Sequence, residues 1–488
     1  MERKQRVAVV GGGVAGLTAA YRLTKGGAEV TVFESAPRLG GKIDVSEVAG
    51  VPVDAGAESV LARRPEALDL IFELGLADRI VHPAPGPAAI YSRGRLRAFP
   101  HDHVMGVPGN PVALARSGVL SPAGALRAGL DLFLPRTPVR ADVPVGAYIR
   151  ARMGDEVVDR LVEPMLGGVY AGRADRLSLD ATLPQIAPLA RNERSLMRAV
   201  RGITRAQAER AARTTEPAPV FATLRGGLAT LIDALAGQSG AVVQTSATVR
   251  ELYPDGAGTW RLTIGSAHDP RQETVDGVVL ACPAPATARL LRPFAPAAAA
   301  ELGGIDYASM AVVTLAYPAS AFSRPLSGSG FLVPARENLS IKAATFSSVK
   351  WPWIAEELRA AHPGTGMVAV RCSIGRIGEE AVLQRSDEEL AALAAADLAA
   401  ICGITGAPVE TRVSRWGGGL PQYDAGHGDR VARAHTALAP HSGLALCGAA
   451  YGGVGIPACI AGAAEAARRI LAETAGSGRP APFAPTDP

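Results

Sequence analysis

The sequence predicts an α/β fold that begins with a strand, a glycine-rich turn, a helix and a second strand. Residues 6–10 form a short apolar run, which is typical of a buried parallel strand. A helical pattern follows from Val14 to about Lys25 and stops at two glycines, a common way for helices to end. Residues 28–33 predict the second strand, with Glu34 at its carboxyl end. These elements have the order and length of the start of a βαβ unit.

The composition indicates a large folded protein. The chain has 488 residues, of which 48% are hydrophobic and 20% are charged, and its net charge is +4. The chain is too apolar and too weakly charged to be disordered, and its charge gives no overall footprint for nucleic acid. The five cysteines form no Cys-x-x-Cys pair and the eight histidines are scattered. We therefore predict neither a disulfide framework nor a metal site.

Further segments extend this prediction along the chain. Short strands are expected at 241–243, 259–263, 275–281, 311–316, 367–372 and 444–447, and helices at about 221–235, 387–401 and 457–471. The uncharged run 442–464 is long enough to cross a membrane, but its six glycines and Pro457 argue against a membrane helix. Because the chain shows no export signal, we expect a cytoplasmic protein.

The glycine-rich turn matches a dinucleotide-binding fingerprint. In Gly11-x-Gly13-x-x-Gly16 the first glycine allows a tight turn, the second lets the backbone approach a diphosphate, and the third lets helix and strand pack closely. The helix then offers the free N–H groups of its first turn to the phosphates. Glu34 can accept hydrogen bonds from ribose hydroxyls and would repel a 2′-phosphate. The pattern predicts a Rossmann-type site for NAD or FAD rather than NADP.

Two further glycine segments favour FAD over NAD. Arg38 and the pair Gly40–Gly41 follow Glu34 closely, so a second backbone approach to the cofactor is expected there. Near the other end of the chain, residues 448–457 predict a strand, a glycine loop and a helix with Pro457 near its start. The amino terminus of that helix could stabilise the charge of a reduced flavin ring. A nucleotide site built from both ends of the chain is typical of long flavoproteins.

Several motifs resemble those of a known enzyme family. Arg38-x-Gly40-Gly41 is similar to the amine-oxidase-like flavoproteins. The segments 54–59, 94–100, 104–108, 221–228, 280–284 and 419–427 resemble porphyrinogen oxidases, and 448–460 resembles their Gram-positive bacterial branch. The resemblance covers about residues 6–471. It implies an FAD enzyme that oxidises coproporphyrinogen III with oxygen in haem synthesis, yielding hydrogen peroxide, or else one that acts on protoporphyrinogen IX.

The resemblance also implies site residues. Arg97 matches an arginine that pairs with a substrate propionate, and Phe346 matches an aromatic residue that stacks on the macrocycle, although a surface arginine and a core phenylalanine are the alternatives. Tyr423 and His427 recur as motif residues and are expected to be structural. No side chain is nominated as catalytic, because the flavin carries the chemistry. The predicted cofactor contacts are Gly11, Gly13, Val14, Ala15, Gly16, Glu34, Arg38, Gly40, Gly41, Lys42, Val249, Gly448, Gly453, Val454, Gly455 and Ile456.

The domain prediction follows from these assignments. An FAD-binding domain combines 1–90, 221–290 and 437–475, a mixed α+β substrate domain covers 291–436 with about 91–99, and a helical domain at the entrance covers 100–220. The proline-rich residues 476–488 are expected to be a disordered tail.

The expected partners are a tetrapyrrole substrate, oxygen, a ferrochelatase-type enzyme in transient contact and the membrane surface, with the chain a monomer or homodimer. Two rivals remain. One is an amine oxidase, for which Tyr423 and Tyr451 would supply an aromatic cage, or a carotenoid oxidase, which would need an apolar tunnel; the other is a flavin-binding module without turnover.

Two segments of the helical region raise the question of membrane contact. Arginines at 191, 194, 198, 201 and 205 have helical spacing and would form one cationic stripe on a single helix, although Gly202 weakens that helix. The stripe could be a solvated face, a rim that attracts an anionic substrate, or a contact for a membrane or partner. The apolar residues 125–134 favour core packing over a membrane-facing helix.

Overall fold

A five-stranded parallel sheet collects strands from distant parts of the chain. The computed structural model describes residues 4–213, 219–256 and 258–475. The central strand, Arg6–Val10, pairs in parallel with Glu29–Phe33 on one side and with Gly277–Leu280 on the other. Val242–Gln244 and Leu444–Leu446 complete the two edges, also in parallel. Because helices and a smaller sheet cover both faces, the inner strands Arg6–Val10 and Gly277–Leu280 are mostly buried and apolar.

Two helices from opposite ends of the chain pack together on one face of this sheet. They are Val14–Lys25, here called the first helix, and Ile456–Ala475, the last helix. Leu23, Ala463 and Ile470 are among the fully buried residues that join them to the strands. The other face carries a three-stranded meander and three helices, namely Val249–Pro254, Trp260–Gly265, Pro270–Val275, Ala284–Leu291, Pro296–Gly303 and His427–Leu438.

A seven-stranded sheet, here called the large sheet, forms the second layer. Its order is Glu410–Pro421, Tyr307–Pro318, Met367–Ile374, Ile341–Thr345, Gly330–Leu332, Ala88–Ser92 and Arg95–Ala98. Every pairing is antiparallel except the one between Gly330–Leu332 and Ala88–Ser92. One face of the sheet is covered by the helix Asp387–Cys402, which a capping box at Ser386 and Glu389 begins.

Residues 111–211 form a mostly helical region that packs around its own apolar core. Its elements are Pro111–Ser117, Pro122–Gly129, Leu130–Leu132, Val145–Met153, Asp155–Val157, Val158–Val162, Glu163–Tyr170, Leu179–Thr182, Ala187–Asn192 and Leu196–Ala211. The core includes Ile90 of the large sheet and Tyr423, so this region sits against that sheet. At its centre Arg152 donates to Asp131 over 2.6 Å, and both side chains are completely buried.

Short elements connect these layers. The strands are Val45–Val48, Val51–Asp54, Val60–Leu61, Ile80–Val81, His103–Val104, Val107–Pro108 and Phe221–Leu224. The helices are Pro65–Glu73, Ala77–Arg79, Ala229–Gln238, Ala319–Ala321, Ala335–Glu337, Ser347–Lys350, Pro352–Ala361 and Glu380–Gln384. Within the described ranges, no helix is both long and apolar enough to span a bilayer.

Three local predictions need correction, and one lies outside the described residues. Residues 221–224 form a strand, not the start of a helix, because they pair with Val60–Leu61 and Ile80–Val81. The arginine stripe is interrupted, because Arg191 lies in the last turn of the helix Ala187–Asn192 and the next helix starts only after the cap at Ser195. Residues 125–134 are not mainly core, since Leu126 and Phe133 are 73% and 76% exposed. The predicted tail, 476–488, is not described, and the three-part domain division stands as our proposal.

Candidate active site

The glycine turn between the first strand and the first helix has the geometry that the fingerprint requires. Gly11 has a φ of +112°, which lies in the region that favours glycine. A Cβ atom on Gly16 would lie 1.8 Å from the carbonyl oxygen of Gly11, so no side chain fits there. The turn also meets the second glycine segment, because Gly40 donates its N–H to the carbonyl of Gly12 over 2.9 Å. Both glycine segments therefore converge on one place.

The first helix presents its amino terminus at this turn. Gly13 is the N-cap, and no side chain caps the helix. The first intrahelical bond of the turn runs from Leu17 N to Gly13 O, so Val14, Ala15 and Gly16 have N–H groups without a helical acceptor. Such groups, with the positive end of the helix dipole, suit a diphosphate.

Glu34 lies at the end of the second strand, next to the same turn. Its carboxylate accepts hydrogen bonds from Gly12 N and Ala36 N, each over 2.7 Å. The segment before Val249 runs alongside, since Ala247 donates its N–H to the Glu34 carbonyl over 2.8 Å. Val249 itself is buried in the core beneath this segment. The residues predicted for the ribose and its neighbourhood are thus adjacent to one another.

Arg38 and Lys42 occupy opposite ends of the second glycine segment. Arg38 donates to the carbonyls of Leu39 and Gly41 over 3.0 and 2.9 Å and pairs with Asp44 at 3.2 Å, so it braces the loop. The Lys42 ammonium lies 6.0 Å from the ring centroid of Tyr307. Burial lowers the pKa of Lys42.

The carboxy-terminal glycine loop completes the site from the other end of the chain. Gly448 and Gly453 have φ values of +125° and +137°, which other residues rarely adopt. Gly455 accepts the N–H of Cys459 over 3.0 Å at the start of the last helix. Ile456 packs in the same cluster as Leu17, so the amino termini of the first and last helices lie side by side. Val454 instead packs against the helical region.

These residues fit an FAD molecule. The glycine turn and the uncapped helix offer space and N–H donors for a diphosphate, and Glu34 offers acceptors for a ribose. The second helix terminus offers a positive dipole end where the flavin ring would lie. The parallel sheet contains strands from both ends of the chain, so it brings the last helix beside the first. The proposed site therefore needs both ends of the chain.

Tyr423 and His427 form an aromatic stack between the glycine loop and the helical region. Their ring centroids are 3.9 Å apart, and Tyr170 contacts Tyr423 at 5.6 Å. The Tyr423 hydroxyl donates to the Ala449 carbonyl over 2.7 Å. Burial lowers the pKa of His427 to about 4, so its imidazole is neutral at pH 7. Tyr451 contacts His435 at 6.1 Å, so the two tyrosines proposed for an amine-oxidase cage have different ring partners.

A buried ionic network near the site had no role in the sequence analysis. Glu58 forms ion pairs with Lys350 and Arg371, and Arg371 also donates to the Gly56 carbonyl over 2.7 Å. These cations hold the pKa of Glu58 down at about 2 although burial opposes them. Segment 54–59 was noted only for its resemblance, and nothing in the sequence connects it with partners about 300 residues away. The network ties that segment to the large sheet.

Asp54 is a second unanticipated group in this segment. It is 5% exposed and accepts the backbone N–H of Leu228 over 2.9 Å. Burial raises its pKa to about 7. The bond explains why segments 54–59 and 221–228, both noted in the sequence, meet in the structure.

A row of side chains crosses the large sheet on the face toward the helical region. Arg97 is paired with Ile90, and the row continues through Leu332, Ala343, Ser373 and Val312. Ile90 belongs to the helical core, and Leu332 lies beside Gly168 of the helix Glu163–Tyr170. Arg97 sits at the outer end of the row, where its Nε donates to the Ser92 carbonyl over 3.0 Å.

Phe346 is placed elsewhere. Its side chain is 4% exposed and contacts Phe331 at 5.8 Å between ring centroids. Both rings belong to the core between the large sheet and the helix Asp387–Cys402, on the face opposite the row that contains Arg97. The structure therefore does not bring Phe346 together with the other predicted site residues. The alternation of residues in a strand could not show that Phe346 is a core residue, because it does not tell which helix covers which face of the sheet.

Comparison with known proteins decides the family. The family model described as "Flavin containing amine oxidoreductase" matches residues 14–471. The chain belongs to this family of flavin-containing amine oxidoreductases. Accordingly, its cofactor is FAD, and it is an FAD-dependent oxidase with an α/β fold.

Three relatives narrow the comparison. The coproporphyrinogen III oxidase of Mycobacterium leprae (strain TN) is 39% identical over 96% of this chain and 98% of its own. The coproporphyrinogen III oxidase of Bacillus subtilis (strain 168) is 32% identical over 94% and 96%. A crystal structure named "Putative protoporphyrinogen oxidase", from Exiguobacterium sp. 255-15, has a TM-score of 0.82 at 31% identity over 96% and 99%.

Proposed function

We propose that this flavoprotein oxidises coproporphyrinogen III to coproporphyrin III with oxygen, as a step of haem synthesis. The observation that carries the proposal is that the FAD site described above belongs to a chain similar over almost its whole length to two coproporphyrinogen III oxidases. The resemblance of the sequence motifs supports the same substrate.

The overall reaction removes six electrons and six hydrogens from the porphyrinogen. Three oxygen molecules accept them in three rounds, giving three molecules of hydrogen peroxide. FAD, when bound, would supply the chemistry: it can accept two electrons and can then be reoxidised by oxygen. The protein has to hold the cofactor, orient a flexible macrocycle and exclude water.

The residues of this chain suit those tasks. The N–H groups of Val14, Ala15 and Gly16 would hold the diphosphate, and Glu34 the adenosine ribose. We place no general base on a side chain. The neutral ring of His427 is stacked on the ring of Tyr423, and the Tyr423 hydroxyl donates to the Ala449 carbonyl. The helical region packs against the glycine loop through Val454, which helps to keep water from the flavin.

Arg97 remains our candidate for a substrate propionate. Its side chain is half-buried at the end of the row, and no carboxylate within the described ranges forms an ion pair with it. A guanidinium can bind a carboxylate through two hydrogen bonds. Replacing Arg97 with Lys would keep the charge and lose that geometry.

Protoporphyrinogen IX is the second candidate substrate. The observation that favours it is the structural similarity to the Exiguobacterium protein. The two porphyrinogens differ in their side chains, since two propionates of one are vinyl groups in the other. We do not favour an amine oxidase of the same family, because Tyr423 is stacked on His427 and only 2% exposed, so its ring is not free to form one wall of an aromatic cage.

The test is porphyrin formation in air on FAD-loaded protein. Coproporphyrinogen III and protoporphyrinogen IX are supplied side by side, and porphyrin fluorescence and hydrogen peroxide are followed. We expect faster turnover of coproporphyrinogen III, with one peroxide per two electrons removed. Faster turnover of protoporphyrinogen IX would replace the proposal with the second candidate. No porphyrin from either, with FAD retained, would refute both.

We also propose that the enzyme works in the cytoplasm and touches the membrane surface peripherally. Leu126, Leu130 and Phe133 are exposed apolar residues on one corner of the helical region. Arg136 and Arg194 lie close by in the sequence or structure, since Arg194 donates to the Leu132 carbonyl over 2.9 Å. Apolar and cationic residues together favour an anionic lipid surface. Co-sedimentation with anionic and neutral vesicles, with L126S/F133S as the variant, tests this contact.

A ferrochelatase-type enzyme is our proposed transient partner, because the porphyrin product has to be passed to an iron-inserting reaction. We propose that the chain is a monomer or a homodimer. Light scattering of the holoenzyme alone and mixed with such a ferrochelatase would test both statements. A stable higher oligomer would contradict the monomer or homodimer. An unchanged mass in the mixture, with an unchanged transfer rate of the porphyrin, would contradict the ferrochelatase contact.

A further inference from the structure

We infer that Lys342 binds a propionate of the substrate and selects coproporphyrinogen over protoporphyrinogen. The inference rests on the proposed function and adds a specificity-determining residue to it. Neither the motifs of the sequence nor the predicted contacts pointed to Lys342.

A bulge in the large sheet aims this side chain at the helical region. Ile341 pairs with Ile374, whereas Ala343 pairs with Ser373, so Lys342 is the extra residue between two successive pairs. Bulges re-aim side chains in this way, often next to active sites. Ala343 belongs to the row that includes Arg97. Lys342 lines a small cavity together with Arg376 and with Glu163, Pro164 and Gly167 of the helix Glu163–Tyr170. Lys342 therefore faces the same side of the sheet as Arg97.

The ammonium group of Lys342 has no carboxylate partner within the described residues. The side chain is 4% exposed, and its Nζ lies 3.9 Å from the sulfur of Met310. A buried cation without a counter-ion is costly, and proteins avoid it unless a ligand completes the site. Burial, with the nearby charge of Arg376, lowers the pKa of Lys342 to about 7, and a bound carboxylate would raise it again.

The charges around the cavity leave Lys342 as the surplus cation. Glu379 forms ion pairs with Arg173 at 2.7 Å and with Arg376 at 3.2 Å. Glu163 lies 3.6 Å from Arg173 and accepts the Ala174 N–H. The carboxylates of Glu163 and Glu379 therefore balance the two arginines, and Lys342 adds a third positive charge. An anionic group is the ligand that this arrangement lacks.

The position relative to Arg97 indicates which propionate Lys342 would meet. Three strand spacings separate the strands of Lys342 and Arg97, which is roughly 14 Å. This is comparable with the width of a tetrapyrrole that carries acidic arms on opposite sides. Coproporphyrinogen III has a propionate on every pyrrole, whereas protoporphyrinogen IX has propionates on two adjacent pyrroles and vinyl groups on the other two. With Arg97 on the side that both substrates share, Lys342 meets a propionate only in coproporphyrinogen.

The physical basis of selection is the unpaired charge. A site built to pair a buried polar group rejects an analogue that leaves this group alone. A vinyl group at Lys342 would leave the ammonium buried and unpaired. The lysine therefore both attracts one substrate and disfavours the other.

The experiment measures binding and turnover separately, on FAD-loaded protein. The variants are Lys342→Met, which keeps the length and removes the charge, and Lys342→Arg, which restores a charge. Lys25→Met is the control, because Lys25 is an exposed lysine of the first helix. Coproporphyrin III, protoporphyrin IX and coproporphyrin III tetramethyl ester are titrated by fluorescence, and KM and kcat are then measured with both porphyrinogens.

We expect Lys342→Met to weaken coproporphyrin III binding by about thirtyfold or more, the effect of losing one partner of a buried charge pair. Protoporphyrin IX and the ester should bind as before or more tightly, the KM for coproporphyrinogen III should rise, and Lys342→Arg should recover part of the loss. Because a buried unpaired charge is removed, the melting temperature of the ligand-free variant should not fall.

The outcomes separate this inference from the proposed function. If the unmodified protein binds or oxidises neither tetrapyrrole, the proposed function fails. If it prefers coproporphyrinogen and Lys342→Met keeps the same preference, the inference alone fails and Lys342 is a core lysine. An equal loss for all three porphyrins, or a lower melting temperature with loss of FAD, would also overturn it, since a selective contact predicts neither.

Discussion

Gly16 is the position at which the cofactor site is most sensitive to one added carbon. A Cβ atom there would lie 1.8 Å from the Gly11 carbonyl oxygen and 3.3 Å from the Ala281 side chain. An ordinary contact needs about 3.4 Å, so the helix and the glycine turn would have to separate by roughly 1.6 Å. That movement shifts the N–H groups of Val14, Ala15 and Gly16 away from the diphosphate. Losing two hydrogen bonds to a charged group costs about 3 kcal/mol or more, which corresponds to at least about a hundredfold weaker FAD binding.

The assay is a titration of apoprotein Gly16→Ala with FAD, followed by quenching of flavin fluorescence. Gly237→Ala is the matched control, because nothing lies within 4 Å of its added carbon and it is on an exposed part of the helix Ala229–Gln238. The control should bind FAD normally and gain up to about 1 kcal/mol of stability, since alanine is the better helix former. Unchanged FAD affinity in folded Gly16→Ala would refute the assignment of the turn to the diphosphate.

Three further predictions concern buried charges. Replacing Glu58 with Gln leaves Arg371 and Lys350 without their carboxylate and should lower the free energy of unfolding by about 3 kcal/mol, visible as a lower melting temperature of the holoenzyme; an unchanged melting temperature would contradict the network. Asp54 binds its proton more tightly when folded, because burial raises its pKa from 3.8 to about 7, so its contribution to stability falls as pH rises from about 4 to 7. Asp54→Asn should therefore be more stable than the unmodified protein at pH 8 by up to about 4 kcal/mol, and urea unfolding should show the advantage shrink by pH 5; an advantage that does not change with pH would exclude the burial explanation. Arg152→Met leaves Asp131 buried without its cation and should cost about 3 kcal/mol in urea unfolding, part of which Arg152→Met/Asp131→Asn recovers; no recovery would mean that packing, not charge, is lost.

The proposed amino-terminal nucleotide site could be predicted from the sequence because its information is local. The strand, the turn, the first helix and Glu34 follow each other within residues 6–34, and each has a signal of its own. Gly16 is required by its contact with nearby Gly11, and Gly11 by its own φ of +112°. The FAD assignment and the use of both chain ends followed from such local patterns, and the family model and the sheet order agree with them.

Other features depend on which segments meet. Residues 221–224 look helical alone, and only their pairing with two distant strands makes them a strand. Phe346 is aromatic and near a strand end, but the helix Asp387–Cys402 covers its side of the sheet and makes it a core residue. The exposed apolar corner around Phe133 is another case, since a periodic pattern cannot tell whether a neighbour will cover it.

The sequence by itself therefore determined the fold class, the cofactor and the glycine turn that we propose binds the nucleotide, since these are encoded by consecutive residues with restricted backbone geometry. Only the tertiary structure decided which charges are paired and which are left over. Glu58 is paired with the cations Lys350 and Arg371, whereas the ammonium of Lys342 forms no ion pair with a carboxylate in the described chain. The reason is physical: the energy of a charge depends on its burial and on partners across space, and both are set by strand pairing, register and a single bulge rather than by spacing along the chain.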